Sequence, residues 1–229
     1  MKTLLLASAV LAASIGSAYA ADLYVPAPAP EILPPTASNL YIGLHGGWLA
    51  GTTSGASFEL GGDTVGADVT TDSGYTIGAS VGFLTDMGLA FEGEVSYAMA
   101  GLSEAEIDGL GATDVEGDAS ALGLFANAVY GVDLGGWRPY VGAGIGAVNV
   151  ALSVPAGEFG PDALDDNGWT WGAQAFAGLE FQLTDGVSLG GRYKYSYRGE
   201  VELVDGGDDP VTLDAAGAHS VEATLRFGL

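Results

Sequence analysis

The chain has no cysteine, two histidines and only six lysines and arginines among its 229 residues, against 29 aspartates and glutamates. The missing cysteine excludes a disulfide framework, so stability has to come from the fold itself. The scarcity of positive charge excludes nucleic acid and anionic head groups as direct partners, while the carboxylates favour divalent cations. With two histidines and no thiol, nothing has metal-ligand spacing, and no serine or aspartate is spaced with a histidine as a catalytic triad. The sequence therefore predicts no enzyme and no cofactor. Beyond the first 20 residues there is also no unbroken apolar run of about 18, which excludes a transmembrane helix even though mean hydropathy is positive.

What is present begins with an export signal. Lys2 supplies a positive start, Leu4 to Ala13 an apolar stretch and Ala18-Tyr19-Ala20 a small-residue cleavage site, so residues 1–20 read as a signal peptide for the Sec pathway. Losing Lys2 takes the formal charge from −23 to −24. Residues 21–38 hold five of the nine prolines and read as an extended, Pro-rich periplasmic linker. Residues 39–229 are left to form the folded domain.

That domain alternates. Val221, Ala223, Leu225, Phe227 and Leu229 are interleaved with Ser220, Glu222, Thr224, Arg226 and Gly228. A strand sends successive side chains to opposite faces, so one face here is wholly apolar and the other polar or small. The pattern occurs eight times, starting near Leu40, Tyr75, Leu89, Leu122, Trp137, Trp169, Val187 and Ser220. Connections after the second, fourth and sixth strands are tight, whereas those after the first, third, fifth and seventh run to roughly 15–22 residues, longer than ordinary hairpin loops. The apolar-face aromatics form two groups. Trp48, Tyr75, Tyr97, Trp169, Trp171, Tyr195 and Tyr197 fall at the long-connection end, and Phe83, Phe91, Tyr130, Trp137, Phe181 and Phe227 at the short-turn end. Paired aromatic girdles and segregated loop lengths are features of membrane barrels. The expected fold is all-β: an eight-stranded antiparallel up-and-down transmembrane β-barrel with short periplasmic turns, long extracellular loops and both ends of the mature chain in the periplasm.

Several passages carry a family resemblance: Ala20-Ala21-Asp22-Leu23 with its proline tail, Leu40-Tyr41-Ile42-Gly43, Arg138 to Gly146, Gly178 to Thr184, and Gly191-Arg192-Tyr193-Lys194-Tyr195. With these the chain resembles the small outer-membrane β-barrels of Gram-negative bacteria, the OmpA-type transmembrane domains and porin-like surface antigens. The resemblance implies residence in the outer membrane, contact with its lipid and lipopolysaccharide, and insertion by the barrel-assembly machinery. Members of that family usually end on an aromatic residue; here Leu229 is last and Phe227 lies two places earlier.

The polar face carries Glu92, Glu94, Glu180, Arg192, Lys194, Glu222 and Arg226. An eight-stranded barrel is only wide enough inside for side chains, so these charges are expected to pair as a plug, with a narrow selectivity constriction as the alternative. His45 has inward and His219 outward parity, and the two are unrelated. Twenty carboxylates fall in the long connections, which should be mobile and mutually repulsive. Asp165 and Asp166, and Asp205, Asp208 and Asp209, are weak candidates for a divalent cation, without EF-hand spacing. The expected function is a non-enzymatic, monomeric barrel contributing to envelope integrity and surface properties. A narrow porin for ions or small solutes, and an adhesin acting through its acidic loops, are the alternatives.

Overall fold

The computed structural model describes residues 39–60, 63–107, 111–154, 164–204 and 210–229; the signal peptide and linker lie outside the described residues. Among the described residues twelve strands form one antiparallel sheet: β1 (Leu40–Leu49), β2 (Thr53–Leu60), β3 (Asp63–Thr71), β4 (Gly74–Leu84), β5 (Leu89–Ile107), β6 (Gly111–Gly131), β7 (Trp137–Val154), β8 (Leu164–Thr184), β9 (Val187–Arg198), β10 (Val201–Val204), β11 (Pro210–Leu213) and β12 (Ala216–Gly228). Eight of them close a ring. β1 pairs with both β4 and β12, and the circuit continues β4–β5–β6–β7–β8–β9–β12. Closure leaves the ring without an edge on which another chain could pair.

Three tight turns and both barrel termini share one end. Leu84 N donates to Asn39 O at 2.7 Å, and Leu229 N donates to Leu40 O at 3.0 Å. The turn after β4 closes through Gly88 N to Thr85 O, with Gly88 at φ +80°, a left-handed conformation that favours glycine.

At the other end the structure corrects the sequence reading. The segments expected as four long mobile loops are strands and hairpins. β2 and β3 form one hairpin and β10 and β11 another; β5 and β6 run outward to Ile107 and Gly111, and β7 and β8 to Val154 and Leu164. β1, β4, β9 and β12 have 10 to 13 residues, near the 9–11 that cross a hydrocarbon layer, whereas β5 to β8 have 18 to 21 and project beyond. The projecting part forms a collar. β3 pairs with the far end of β5, β2 with β3, and β11 with β2; β10 then meets β8, where Val204 N donates to Asp166 Oδ2 at 2.8 Å.

The collar was read as loop because its carboxylates are dense, yet the same two-residue period persists in it. Glu104, Glu106, Asp114, Glu116, Asp118 and Glu202 are exposed, while Leu102, Ala105, Val115, Val201 and Leu203 are buried. Polarity thus inverts along the molecule. Around the ring the outward side chains are mainly apolar, and the inward ones are mainly polar, with a small buried cluster that includes Val129 and Phe176. In the collar an apolar cluster of Leu102, Phe125, Val148, Val150, Leu152, Leu203 and Leu213 lines the inside.

Candidate functional site: a charge network across the lumen

The ring's interior collects nearly all of its ionisable side chains, because the pleat sends the even-numbered residues of β5, β8, β9 and β12 inward together. β9 and β12 are neighbours in a register that sets Arg192 opposite Glu222 and Lys194 opposite Ser220. Arg192 Nε donates to Glu222 Oε2 at 2.7 Å, and Lys194 Nζ lies 2.8 Å from Glu222 Oε1. Ser220 Oγ donates to the same Oε1 at 2.8 Å.

From there the network crosses the lumen to β5. Glu94 Oε1 lies 3.4 Å from Arg192 Nη2 and 3.7 Å from Lys194 Nζ. Asn127 Nδ2 donates to Glu94 Oε2 at 3.0 Å, and Gln174 Nε2 donates to Asn127 Oδ1 at 2.9 Å. All seven of these side chains are buried, Glu222 to 2 % exposure. Arg192 also lies over the Phe176 ring, 4.9 Å from its centroid. Inward-facing glycines make the room: a Cβ at Gly142 would overlap the Phe176 ring, and one at Gly144 the Asn127 amide.

A second cluster lies nearer the short turns. Glu180 Oε2 is 2.9 Å from Arg226 Nη2 and 3.6 Å from Arg138 Nη1. The Tyr41 hydroxyl donates to Glu92 Oε1 at 2.5 Å, and Arg226 stacks 5.4 Å from the Tyr41 ring centroid.

Of the seven charges expected inside, six therefore join ion pairs. Glu92 does not: among the described residues no cation lies within 4.0 Å of it, and its partner is a phenol. Sequence reasoning placed His45 inward without a partner and did not count Arg138 or Tyr41 among the interior partners. Arg138 has the parity opposite to its outward neighbour Trp137, a signal that was available. His45 Nε2 sits 3.5 Å from Glu94 Oε1 and so belongs to the network, whereas His219 is outside, its Nδ1 2.5 Å from the Tyr193 hydroxyl. His45 thus faces inward as expected, and the structure adds its contact with Glu94.

The thirteen aromatic positions all lie on the outward face. Trp48, Tyr75, Trp169, Trp171 and Tyr195 are exposed toward the collar end, with Tyr97 and Tyr197 half-buried beside them. Phe83, Phe91, Tyr130, Trp137 and Phe181 are exposed toward the turn end, and Phe227 is half-buried. Of the weak cation candidates, Asp205, Asp208 and Asp209 lie outside the described residues, as does the Asp165 side chain. Asp166 is engaged by the Val204 amide. Among the described residues no cluster of three potential ligands could hold a metal.

An outward apolar band around a charged interior suits a barrel whose solvent is lipid. Residues 7–227 match the family described as outer membrane protein beta-barrel domain. The chain belongs to this family. Its place is the Gram-negative outer membrane. No curated protein matches it in sequence. Among solved structures it is similar to Neisserial surface protein A, at 19 % identity and TM-score 0.50, over 85 % of this chain and 100 % of that one. It is also similar to the outer membrane protein OprG from Pseudomonas aeruginosa, at 14 % identity and TM-score 0.52, over 84 % of this chain and 98 % of that one. At such identities the likeness is one of fold.

Proposed function

We propose that this outer-membrane barrel is a closed, non-enzymatic scaffold contributing to envelope integrity and surface properties, with its short turns in the periplasm and its acidic collar outside the cell. The observation that carries this reading is Arg192, held between Glu222 on the adjacent strand and Glu94 across the lumen. A charge in such a place is stable only with its partners, and removing one leaves an uncompensated buried charge. The network therefore ties opposite walls of the ring together, and an ion passing through would have to break it. The collar presents carboxylates to water and to the lipopolysaccharide surface, which it can meet only through bridging cations, since both sides are anionic.

Single-channel recording in planar bilayers tests this. The intact barrel should give no stable conductance above leak, while Arg192→Ala, which removes the cross-lumen tie, should give intermittent openings. Stable, reproducible conductance by the unmodified protein would replace the scaffold reading with that of a narrow pore.

A further inference from the structure

Above the charge network, inside the collar, lies a chamber of about 190 Å³. It reaches from Lys194 and Ser220 at its floor to Thr52, just before the first hairpin, and to Ser54 and Val69 on that hairpin. We propose that this chamber is a binding site for a small, uncharged, apolar molecule about the size of one aromatic ring. This goes beyond the scaffold reading and does not depend on it.

Three observations converge. First, protein interiors rarely leave voids larger than a water molecule, yet this one sits within the collar's own apolar cluster. Small side chains on the walls, Ala98, Ala100 and Ala121, leave the space, and Phe125, Val148 and Leu152 complete the lining. An enclosed apolar cavity of about 150 Å³ accepts benzene; this chamber is partly open, and its volume and mainly apolar lining suit an occupant of that class.

Second, the two cations bordering the chamber already have partners. Lys194 is held by Glu222 and Glu94. Arg198 donates to the carbonyls of Asp214 and Gly199. A charged ligand would lose its hydration without finding a free counter-charge, which the apolar walls penalise. Third, the collar's outer face carries Glu104, Glu106, Asp114, Glu116 and Asp118, all exposed, so anions are repelled before they arrive. An uncharged apolar solute is subject to neither penalty, and the ion-paired layer beneath halts it at the chamber floor.

The test is a titration of the full chain, methyl-labelled and held in lipid nanodiscs, with benzene as the probe. Lipid takes up benzene too, so the outward methyls of Leu124 and Ile145 serve as the partition reference. The methyls of Leu102, Val148 and Leu152 should shift saturably while the outward ones drift linearly. Ala121→Phe, which fills the chamber, should abolish the saturable part; Ala98→Leu serves if that variant does not fold. Benzoate, the same ring with a carboxylate, should give no saturation. Inward methyls that merely track the outward ones would overturn the proposal, as would a saturable shift retained in a folded, filled variant. Saturation by benzoate at lower concentration than benzene would show an anion site instead.

Discussion

Arg192 shows how much a single buried side chain can organise. Its guanidinium spans two carboxylates on opposite walls, and a planar fork of donors suits that role better than an ammonium. Arg192→Ala should destabilise the folded barrel by about 3–5 kcal/mol, because Glu94 and Glu222 are then left sharing Lys194. Adding Glu94→Gln should recover part of the loss, since the uncompensated charge is removed along with its partner. Urea unfolding followed by tryptophan fluorescence checks this, and strictly additive effects would mean that the two groups do not interact. Part of this site could be read from the residues. Arg192, Lys194 and Glu222 fall on consecutive ring strands, and neighbours in sequence are neighbours in a meander. The choice of Arg226 for Glu180, and of a tyrosine rather than a cation for Glu92, could not be read, because parity states which way a side chain points and not what stands across the lumen.

At the scale of the element, the collar strands carry a conflict. Asp68 stands opposite Glu106 between β3 and β5, and Glu104 opposite Asp114 between β5 and β6. Like charges directly across a ladder are destabilising, so these strand ends should open more readily than the ring. Millimolar Ca²⁺ should protect them from limited proteolysis better than Na⁺ at equal ionic strength, by bridging carboxylates as well as screening them. Equal protection by the two salts would leave screening alone. The ring strands lack this conflict, since their outward neighbours are apolar pairs such as Trp48 opposite Val221 and Phe83 opposite Phe91.

At the scale of the molecule, closure and inversion decide behaviour. Eight strands in a ring satisfy each other's backbone groups without water, the condition for a sheet to persist in hydrocarbon. A closed barrel resists detergent until heated, so unboiled and boiled samples should migrate differently in detergent gels. Identical migration, together with solubility in plain buffer, would be incompatible with a lipid-facing band of Trp48, Ile77, Val141 and Ile145. The collar obeys the opposite rule because its solvent is water: its carboxylates face out and its leucines and valines face in, as in a soluble sheet. One continuous set of strands, β5 to β8, passes through both regimes.

The sequence by itself determined the faces. The pleat allows no other arrangement, so the apolar alternation from Leu40 to Phe227, the grouping of aromatics and the inward charges on β5, β8, β9 and β12 were all legible before any coordinates. What the tertiary structure decided was distance across the lumen and the fate of the acidic connections. His45 met Glu94, two strands away, only through the curvature of the ring, whereas Arg138 meets Glu180 directly across the β7–β8 ladder. The collar formed because β3 found β5 and β11 found β2, pairings between segments far apart in the chain that no local pattern specifies. Local alternation is a property of one strand, whereas a partner across a closed ring depends on register summed over all the strands between.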